Sequence, residues 1–536
     1  MQNTVTSRTS AVYPFDHPHA APARELGDLL GGKGAGLAEM TAALGFAVPP
    51  GFTVTLPVCR AYREHGWPPD LDAILDVQLQ VLETRMRRGF GDARDPLLVA
   101  VRSGAPVSMP GMLDTVLNLG LNDATVAGLA EVSGDPWFAW DCYRRFLIMF
   151  ASTVMDVPEH VLDVGAAGDT EDAVRATVAT LRERIAGHAD RDVPSDPRQQ
   201  LREAVEAVFR SWDCTRAKAY RAKEGIDEQM GTAVNVQAMV FGNRGPESGT
   251  GVVFTRNPST GEAAPYGDYL PCAQGEDVVA GTARTMPIAH LRELHPAVHT
   301  ELLTVLRRLE IHYRDLCDVE FTVEDGRLWL LQTRVGKRGA VAAVRTAVEF
   351  AHDPEVALTP AEAVARVPAP LRERARAEVL ARTGATSGAA DLLATGLGAS
   401  PGRVTGTVVL SSDAAADAEG DVVLVRRETS PEDVAGMAAS VGILTTRGGL
   451  VSHAAVVARG WGIPAVVGAG DLTWSSERLT VGDRVLLEGD VITIDGTTGQ
   501  VWAGQVDAAA NADTTEATLA RELPELAVLE GWAAAS

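Results

Sequence analysis

His453 stands between a glycine pair and an apolar run in the segment Arg447-Gly-Gly-Leu-Val-Ser-His-Ala-Ala-Val-Val-Ala-Arg-Gly460. Gly448 and Gly449 tolerate positive φ and let backbone approach a ligand closely. The run from Ala454 to Val457 reads as the first turn of a helix, whose free N–H groups and dipole favour an anion. Imidazole is neutral and nucleophilic near pH 7, so the arrangement suits a histidine that accepts a phosphoryl group. For the ring taken alone, a core or capping histidine is the competing reading.

A second set of residues suits nucleotide phosphates. Gly31-Gly-Lys-Gly34 puts Lys33 in a flexible loop that opens a helix expected over Ala35 to Leu44, without the complete P-loop pattern. Arg102 follows an apolar strand, and Gly111 sits in the proline-bounded loop of Val101 to Thr115, a composition that folds over ligands. Ser248-Gly-Thr-Gly251 reads as another glycine loop with exposed N–H groups, ahead of a strand at 252–255, or as a plain hairpin turn. Asp318 and Glu320 alternate onto one face of a strand, and a tight hairpin brings Gln332, twelve residues after Glu320, opposite them. Hard oxygen ligands grouped in this way hold Mg²⁺ against phosphates. Arg334 shares the face of Gln332. Taken singly, each of these is equally an ordinary turn or surface ion pair.

A chain of 536 residues exceeds what one core supports, so about two to four domains must carry these groups. Hydrophobic residues make up 46%, which supports packed cores throughout. The 48 Lys and Arg against 71 Asp and Glu give a net charge of −23. So acidic a surface repels nucleic acid and anionic membrane, and both are excluded as partners. Cys59, Cys142, Cys214, Cys272 and Cys317 are odd in number and scattered, as expected of reduced thiols in a cytoplasmic protein. No apolar stretch has the length or flanks of a signal peptide or membrane span. The pattern along the chain predicts a disordered leader at 1–11, an α/β unit at 12–340 with a helical insertion at about 120–230, a helical linker and hinge at 341–395 with its small polar stretch at 382–390, a further unit at 396–506, and a tail at 507–536. Trp140, Arg144, Phe146, Leu147 and Phe150 carry the helical period of the insertion. Strands are expected at 481–487 and 491–501. In the tail, Leu519, Leu523 and Leu526 form a short amphipathic patch interrupted by Pro524.

Glu-Thr-Ser-Pro-Glu-Asp at 428–433, Gly-Ile-Leu-Thr at 442–445, the His453 run and Gly-Ile-Pro-Ala-Val-Val-Gly at 462–468 together resemble the swivelling phosphohistidine domain of the pyruvate phosphate dikinase family. Leu29 to Met40, Val101 to Gly120, Phe241-Gly-Asn243 with Ser248 to Glu262, Gln274 to Gly281, and Asp318 to Arg338 resemble, in order, its ATP-grasp nucleotide-binding domain. The likeness covers residues 12–505. It implies an α/β multidomain fold, an ATP-grasp domain with a helical insertion followed by a swivelling α/β domain. It implies that Lys33 and Arg102 bind ATP phosphates, that Gly111, Thr250 and Gly251 form the clamping loops, and that Gln237, Met239 and Val240 lie along the adenine. Glu276 is then near the ribose, Glu320 and Gln332 on Mg²⁺, and Asp318 and Arg334 beside them. His453 is the nucleophile, assisted by Arg447 and Ser452.

The implied reaction passes the β-phosphoryl of ATP to His453 with phosphate as cosubstrate, giving AMP and pyrophosphate. Family members commonly carry a threonine two residues before the histidine, a regulatory phosphorylation site in some. Here that position is Val451, so that control is expected to be absent. The family continues into a barrel that binds pyruvate and phosphoenolpyruvate and needs about 250 residues. No such length follows residue 506. Three readings stay open: a kinase for another small-molecule acceptor, the nucleotide-binding half of a split dikinase with a separate barrel subunit, and a non-catalytic phosphocarrier or nucleotide sensor. The presence of Lys33, Arg102, Glu320, Gln332 and His453 together argues against the sensor. Oligomeric state is not fixed by the sequence, and a homodimer is among the assemblies it allows.

Overall fold

In the computed structural model the chain divides into two compact units, residues 1–244 with 329–333, and residues 245–328 with 334–536. The first division falls at 244–245, whereas the sequence pattern placed 12–340 in one unit. The described residues are 10–535, apart from 108, 110–111, 166–167, 281–284, 384–390, 451, 476–477, 483 and 507–514. Most of the expected leader and hinge, Gly111 and Val451 therefore lie outside the described residues.

The first unit is built on a five-stranded antiparallel sheet in the order Val12–Pro14, Gly51–Val54, Ala233–Ala238, Val99–Gly104 and Thr115–Leu119. The Ala233–Ala238 strand is central. Its period of two sends Val234, Val236 and Ala238 into the main apolar core beside Val99, Val101 and Val116. The helices of 125–224 fill the other side of that core. Pro136–Val154 starts cleanly, with Pro136 at the first helical position and the Asp135 carboxylate accepting from the Phe138 N–H. Its Phe146, Leu147 and Phe150 then pack into the same cluster as the sheet, so helices and strands share one core.

In the second unit, Cys317–Glu324, Gly249–Phe254, Tyr266–Pro271 and Met286–Pro287 are successive strands of one sheet. Helices Ala340–His352, Pro360–Arg366 and Ala369–Thr383 follow. Their apolar faces are covered by Thr515–Glu522 and Pro524–Ala535, through buried Leu519, Leu523, Leu526 and Leu529. Pro524, expected to interrupt this patch, instead begins the last helix, where its missing N–H costs nothing.

An ion-pair cluster holds the first of these helices in place. Arg256 donates to Glu310 at 2.9 Å and to Glu349, with its guanidinium 4.5 Å from the Phe350 ring centroid. Arg256 and Glu310 are both buried, and removing Arg256 leaves the Glu310 carboxylate with only the more distant Arg307, at 3.6 Å, as a cationic partner among the described residues. Arg256→Met is expected to destabilise the second unit by about 3–5 kcal/mol, as read from its denaturant midpoint. An unchanged midpoint would show that the cluster contributes no stability.

An eight-stranded mixed sheet completes this unit, in the order Leu392–Thr395, Gln500–Ala503, Val491–Asp495, Arg403–Val409, Val422–Arg426, Gly442–Thr445, Ala465–Val467 and Leu397–Ser400. The three central pairings, from Arg403–Val409 to Ala465–Val467, are parallel. Parallel neighbours require crossovers, and Ser412–Asp417, Val434–Ala439 and His453–Trp461 are the helices that make them. The entry strand Leu392–Thr395 pairs directly with the exit strand Gln500–Ala503, and the Ala503 N–H bonds the Asp391 carbonyl at 3.0 Å.

The strand expected at 491–501 is broken at 496–499. Gly499 has φ of 78°, and a Cβ on Gly496 would lie 1.9 Å from the Ser400 carbonyl oxygen. The strand expected at 481–487 is likewise two, Arg478–Val481 and Arg484–Leu486, parted by Gly482 at φ 53°.

Candidate active site

His453 is the first residue of the helix His453–Trp461 and follows the carboxyl end of the parallel strand Gly442–Thr445. That is where α/β sheets collect ligands, and the free N–H groups of the helix start favour an anion there. Gly448, at φ 101°, turns the connecting loop. At Gly449 there is no room for a side chain, because a Cβ would lie 2.3 Å from the Asp268 carboxylate. That carboxylate accepts from the Leu450 N–H at 2.9 Å and fixes the loop; burial raises its pKa.

Arg459, further along the same helix, donates to the carbonyls of Leu450 at 2.9 Å and Ala399 at 3.1 Å. Its guanidinium lies 5.2 Å from the Phe254 ring centroid, and burial lowers its pKa to about 10. The helix ends at Gly462, φ 68°.

The His453 ring is partly exposed, with Nδ1 3.0 Å from the Thr429 hydroxyl. Its Nε2 is out of contact with solvent and has no hydrogen-bond partner. If Nδ1 carries the proton and donates it to Thr429 Oγ1, the lone pair is on Nε2, the tautomer a nucleophile needs. Thr429 is itself held by the turn that follows it. Asp433 accepts from the Ser430 N–H at 2.9 Å and pairs with Arg426 at 3.1 Å. Ser452 occupies the N-cap position without a capping bond, and its buried hydroxyl has no partner. Arg447 has an exposed side chain on a fixed backbone, whose N–H bonds the Arg427 carbonyl at 2.8 Å and whose carbonyl accepts from Thr445 at 2.7 Å.

Burial lowers the His453 pKa from 6.5 to about 4, against the smaller opposing pull of Asp433 and Glu432. The ring is therefore neutral across the physiological range. The folded value lies below the unfolded one, so the fold disfavours the proton. The stabilisation this reflects is complete above pH 6.5 and is lost as pH falls from 6.5 through about 4. Phosphoryl transfer to this ring is expected to show no ionisation near 6.5 and to decline only as pH approaches the lower value. A rate profile that halves near pH 6.5 would contradict the buried, neutral ring.

The first unit carries Lys33, Arg102, Gln237, Met239, Val240 and Gln332. The Gly31–Gly34 segment is not a loop ahead of a helix. It is a kink inside the helix Gly27–Ala38, made at Gly31 with φ 69° and ψ 165°, and a π-turn at Glu39–Ala43 follows. Arg102, on the Val99–Gly104 strand, points Nη1 at the Leu331 carbonyl at 3.5 Å, one residue from the buried Gln332. Gln237 is buried and turns its amide to the Pro49 carbonyl at 3.2 Å, while the Met239 N–H bonds the Leu98 carbonyl at 2.9 Å and Val240 is buried.

The second unit carries Thr250, Gly251, Glu276, Asp318, Glu320 and Arg334. Thr250 and Gly251, expected in an exposed loop, lie inside the Gly249–Phe254 strand. The Thr250 hydroxyl is engaged by the Phe321 carbonyl at 3.1 Å. Gly251 is glycine because a Cβ would meet the Phe321 ring at 2.6 Å. Asp318 accepts from Arg334 Nε, at 2.9 and 2.7 Å to its two oxygens, and burial pushes its carboxyl up against that pull. Glu276 sits in the first turn of the short helix Gly275–Ala280.

The charge of Asp318, and more weakly that of Glu320 on the same strand, raises the Arg334 pKa. Among the described residues no three His, Cys, Asp or Glu side chains group into a metal site. A carboxylate and an amide oxygen are hard donors of the kind that Mg²⁺ accepts beside phosphate oxygens.

Three residues of the histidine site escaped the motif reading. Thr429 had a signal, being a hydroxyl in the Glu-Thr-Ser-Pro-Glu-Asp run. Asp268 had none, because 182 residues separate it from Leu450. Arg459 belonged to the histidine run, which gives no sign of its bonds to the Leu450 and Ala399 carbonyls. Among the described residues no disulfide joins any of the five cysteines. No helix among the described residues is long and apolar enough to cross a membrane.

Residues 66–289 match the family model of the pyruvate phosphate dikinase AMP/ATP-binding domain, and residues 418–499 that of the PEP-utilising enzyme mobile domain. His453 lies within the second of these matches. It is 45% identical over 525 residues to the chloroplastic pyruvate, phosphate dikinase of Flaveria pringlei, covering 94% of this chain and 54% of the relative. The enzyme of Clostridium symbiosum is 44% identical over 523 residues, covering 92% and 58%. That of Rhizobium meliloti is 47% identical over 527 residues, covering 92% and 58%. The chain belongs to the pyruvate phosphate dikinase family. It spans a little over half the length of the curated relatives it matches.

Proposed function

We propose that the protein is an ATP-dependent, dikinase-type phosphotransferase whose phosphoryl carrier is His453. The observation that carries this reading is the ring itself: neutral, held at Nδ1 by Thr429, with Nε2 unengaged at a helix N-terminus. The nucleotide is bound by an ATP-grasp region that includes Lys33 and Arg102. The 396–506 region acts as the swivelling carrier. Lys33 and Arg102 neutralise phosphate charge, Arg334 is oriented by Asp318, and Arg447 screens the carried group. Glu320 and Gln332 would hold Mg²⁺, which when bound supplies further charge neutralisation on the phosphates.

In the transfer, the Nε2 lone pair forms a bond to the β-phosphorus while the bond to the α-phosphate oxygen breaks and AMP leaves. The γ-phosphoryl passes to inorganic phosphate as pyrophosphate, leaving phosphorylated His453. Discharge is to a small-molecule acceptor, with pyruvate the one that the names of the relatives suggest.

Incubation with Mg²⁺, phosphate and ATP labelled at the β-phosphorus tests the reading. AMP release together with acid-labile, alkali-stable label on a His453 peptide is expected. ATP left intact and an unlabelled protein would overturn it. Label whose discharge by pyruvate needs an added partner chain would assign the split form of the same activity.

A further inference from the structure

We infer that Asn235 is a positioning residue that locks Lys33 to the strand bearing Arg102, so that both cations address one phosphate chain. The inference rests on the nucleotide reading proposed for this region. Asn235 is fully buried in the middle of the central Ala233–Ala238 strand. Its neighbours Val234 and Val236 face the apolar core, whereas Asn235 points to the opposite side, toward the helix that contains Lys33. In register it lies between Thr53 on one neighbouring strand and Arg102 on the other.

The side chain is wedged between two glycines. A Cβ on Gly34 would lie 2.9 Å from Asn235 Oδ1 and 2.7 Å from Thr53 Oγ1, and a Cβ on Gly104 would lie 2.7 Å from Asn235 Nδ2. Gly34 follows Lys33 directly, and Gly104 is two residues from Arg102 on the same strand. A Cβ on Gly31 would lie 1.7 Å from the Gly104 carbonyl oxygen, and the Gly32 N–H bonds the Ala105 carbonyl at 2.9 Å. Lys33 is thus fixed on both sides, by Gly32 against Ala105 and by Gly34 against the Asn235 amide. The amide is held from behind, where Oδ1 accepts from the Thr53 hydroxyl at 2.8 Å.

Asparagine is a costly choice at this position. Its Nδ2 is buried with no hydrogen-bond partner, a situation that folded proteins avoid. A residue serving only to fill the space would be apolar, as Val234 and Val236 are. A rigid, planar amide of fixed width explains the selection, because preorganised placement of charge is what phosphate recognition requires.

The test compares ATP with adenosine, which carries no phosphates, by titration calorimetry of the full chain. Asn235→Ala removes the wedge, and Thr53→Val keeps its volume but releases Oδ1. Asn235→Ala is expected to weaken ATP at least tenfold and leave adenosine unchanged, and Thr53→Val to weaken ATP severalfold. If both ligands weaken together, or neither does, the role is structural and the inference fails. Thr53→Val decides the matter alone should Asn235→Ala not fold. A wild-type chain that binds neither ligand sinks the nucleotide reading itself.

Discussion

Replacement of His453 by alanine is expected to abolish AMP formation from ATP, with a loss of at least about a thousandfold, because no other group can take the phosphoryl in its place. Among the described residues the side chain makes a single hydrogen bond, to Thr429, so its removal is expected to leave the fold nearly intact. ATP affinity should therefore persist while turnover disappears, and that split separates a lost nucleophile from a damaged protein. His453→Ala that still releases AMP and modifies an acceptor would remove the histidine from the reaction. A subtler expectation follows from the tautomer. With Thr429→Val the ring loses its only anchor at Nδ1, and the rate should fall about tenfold, the worth of roughly one hydrogen bond.

The second large effect belongs to Gly31. Alanine there must adopt φ of 69° and place its Cβ 1.7 Å from the Gly104 carbonyl oxygen. The left-handed conformation and the overlap together are expected to cost more than about 3 kcal/mol. Relief requires the helix to part from the Val99–Gly104 strand, which carries Arg102, so ATP binding should fail along with stability. Gly27→Ala, four residues earlier in the same helix and with open space around its Cβ, serves as the control and should be neutral. Equal denaturation midpoints and equal ATP affinities for the two variants would show that the kink is not needed.

The parts of this molecule that the sequence disclosed are those in which chemistry and local backbone coincide. Around His453 the glycine pair, the small residues of the helix start and the ring itself lie within about seven residues, so the pattern is self-contained. Elsewhere glycine was misleading. Gly251 suggested a flexible loop, but it is small because the Phe321 ring and the Asp268 carbonyl oxygen crowd the middle of a strand. Gly31 suggested a turn before a helix, where it kinks one. A glycine demanded by a neighbour distant in sequence looks the same as one demanded by a turn. Asp318 and Arg334 fell on the expected strands, yet their mutual pairing depends on side-chain geometry that alternation does not specify. Asp268 and Asn235 had no local signature at all, since each acts on backbone brought to it by folding.

The direct pairing of Leu392–Thr395 with Gln500–Ala503 has a mechanical consequence for the portion of the chain enclosed by them. Its two ends leave side by side from one edge of its sheet, so both tethers attach at nearly one point. This portion, in the swivel proposed for it, would then turn about a single short axis with no need to melt any of its strands. It is also a natural cassette: cut at those ends, it would graft into a surface turn of an unrelated host and retain its own register.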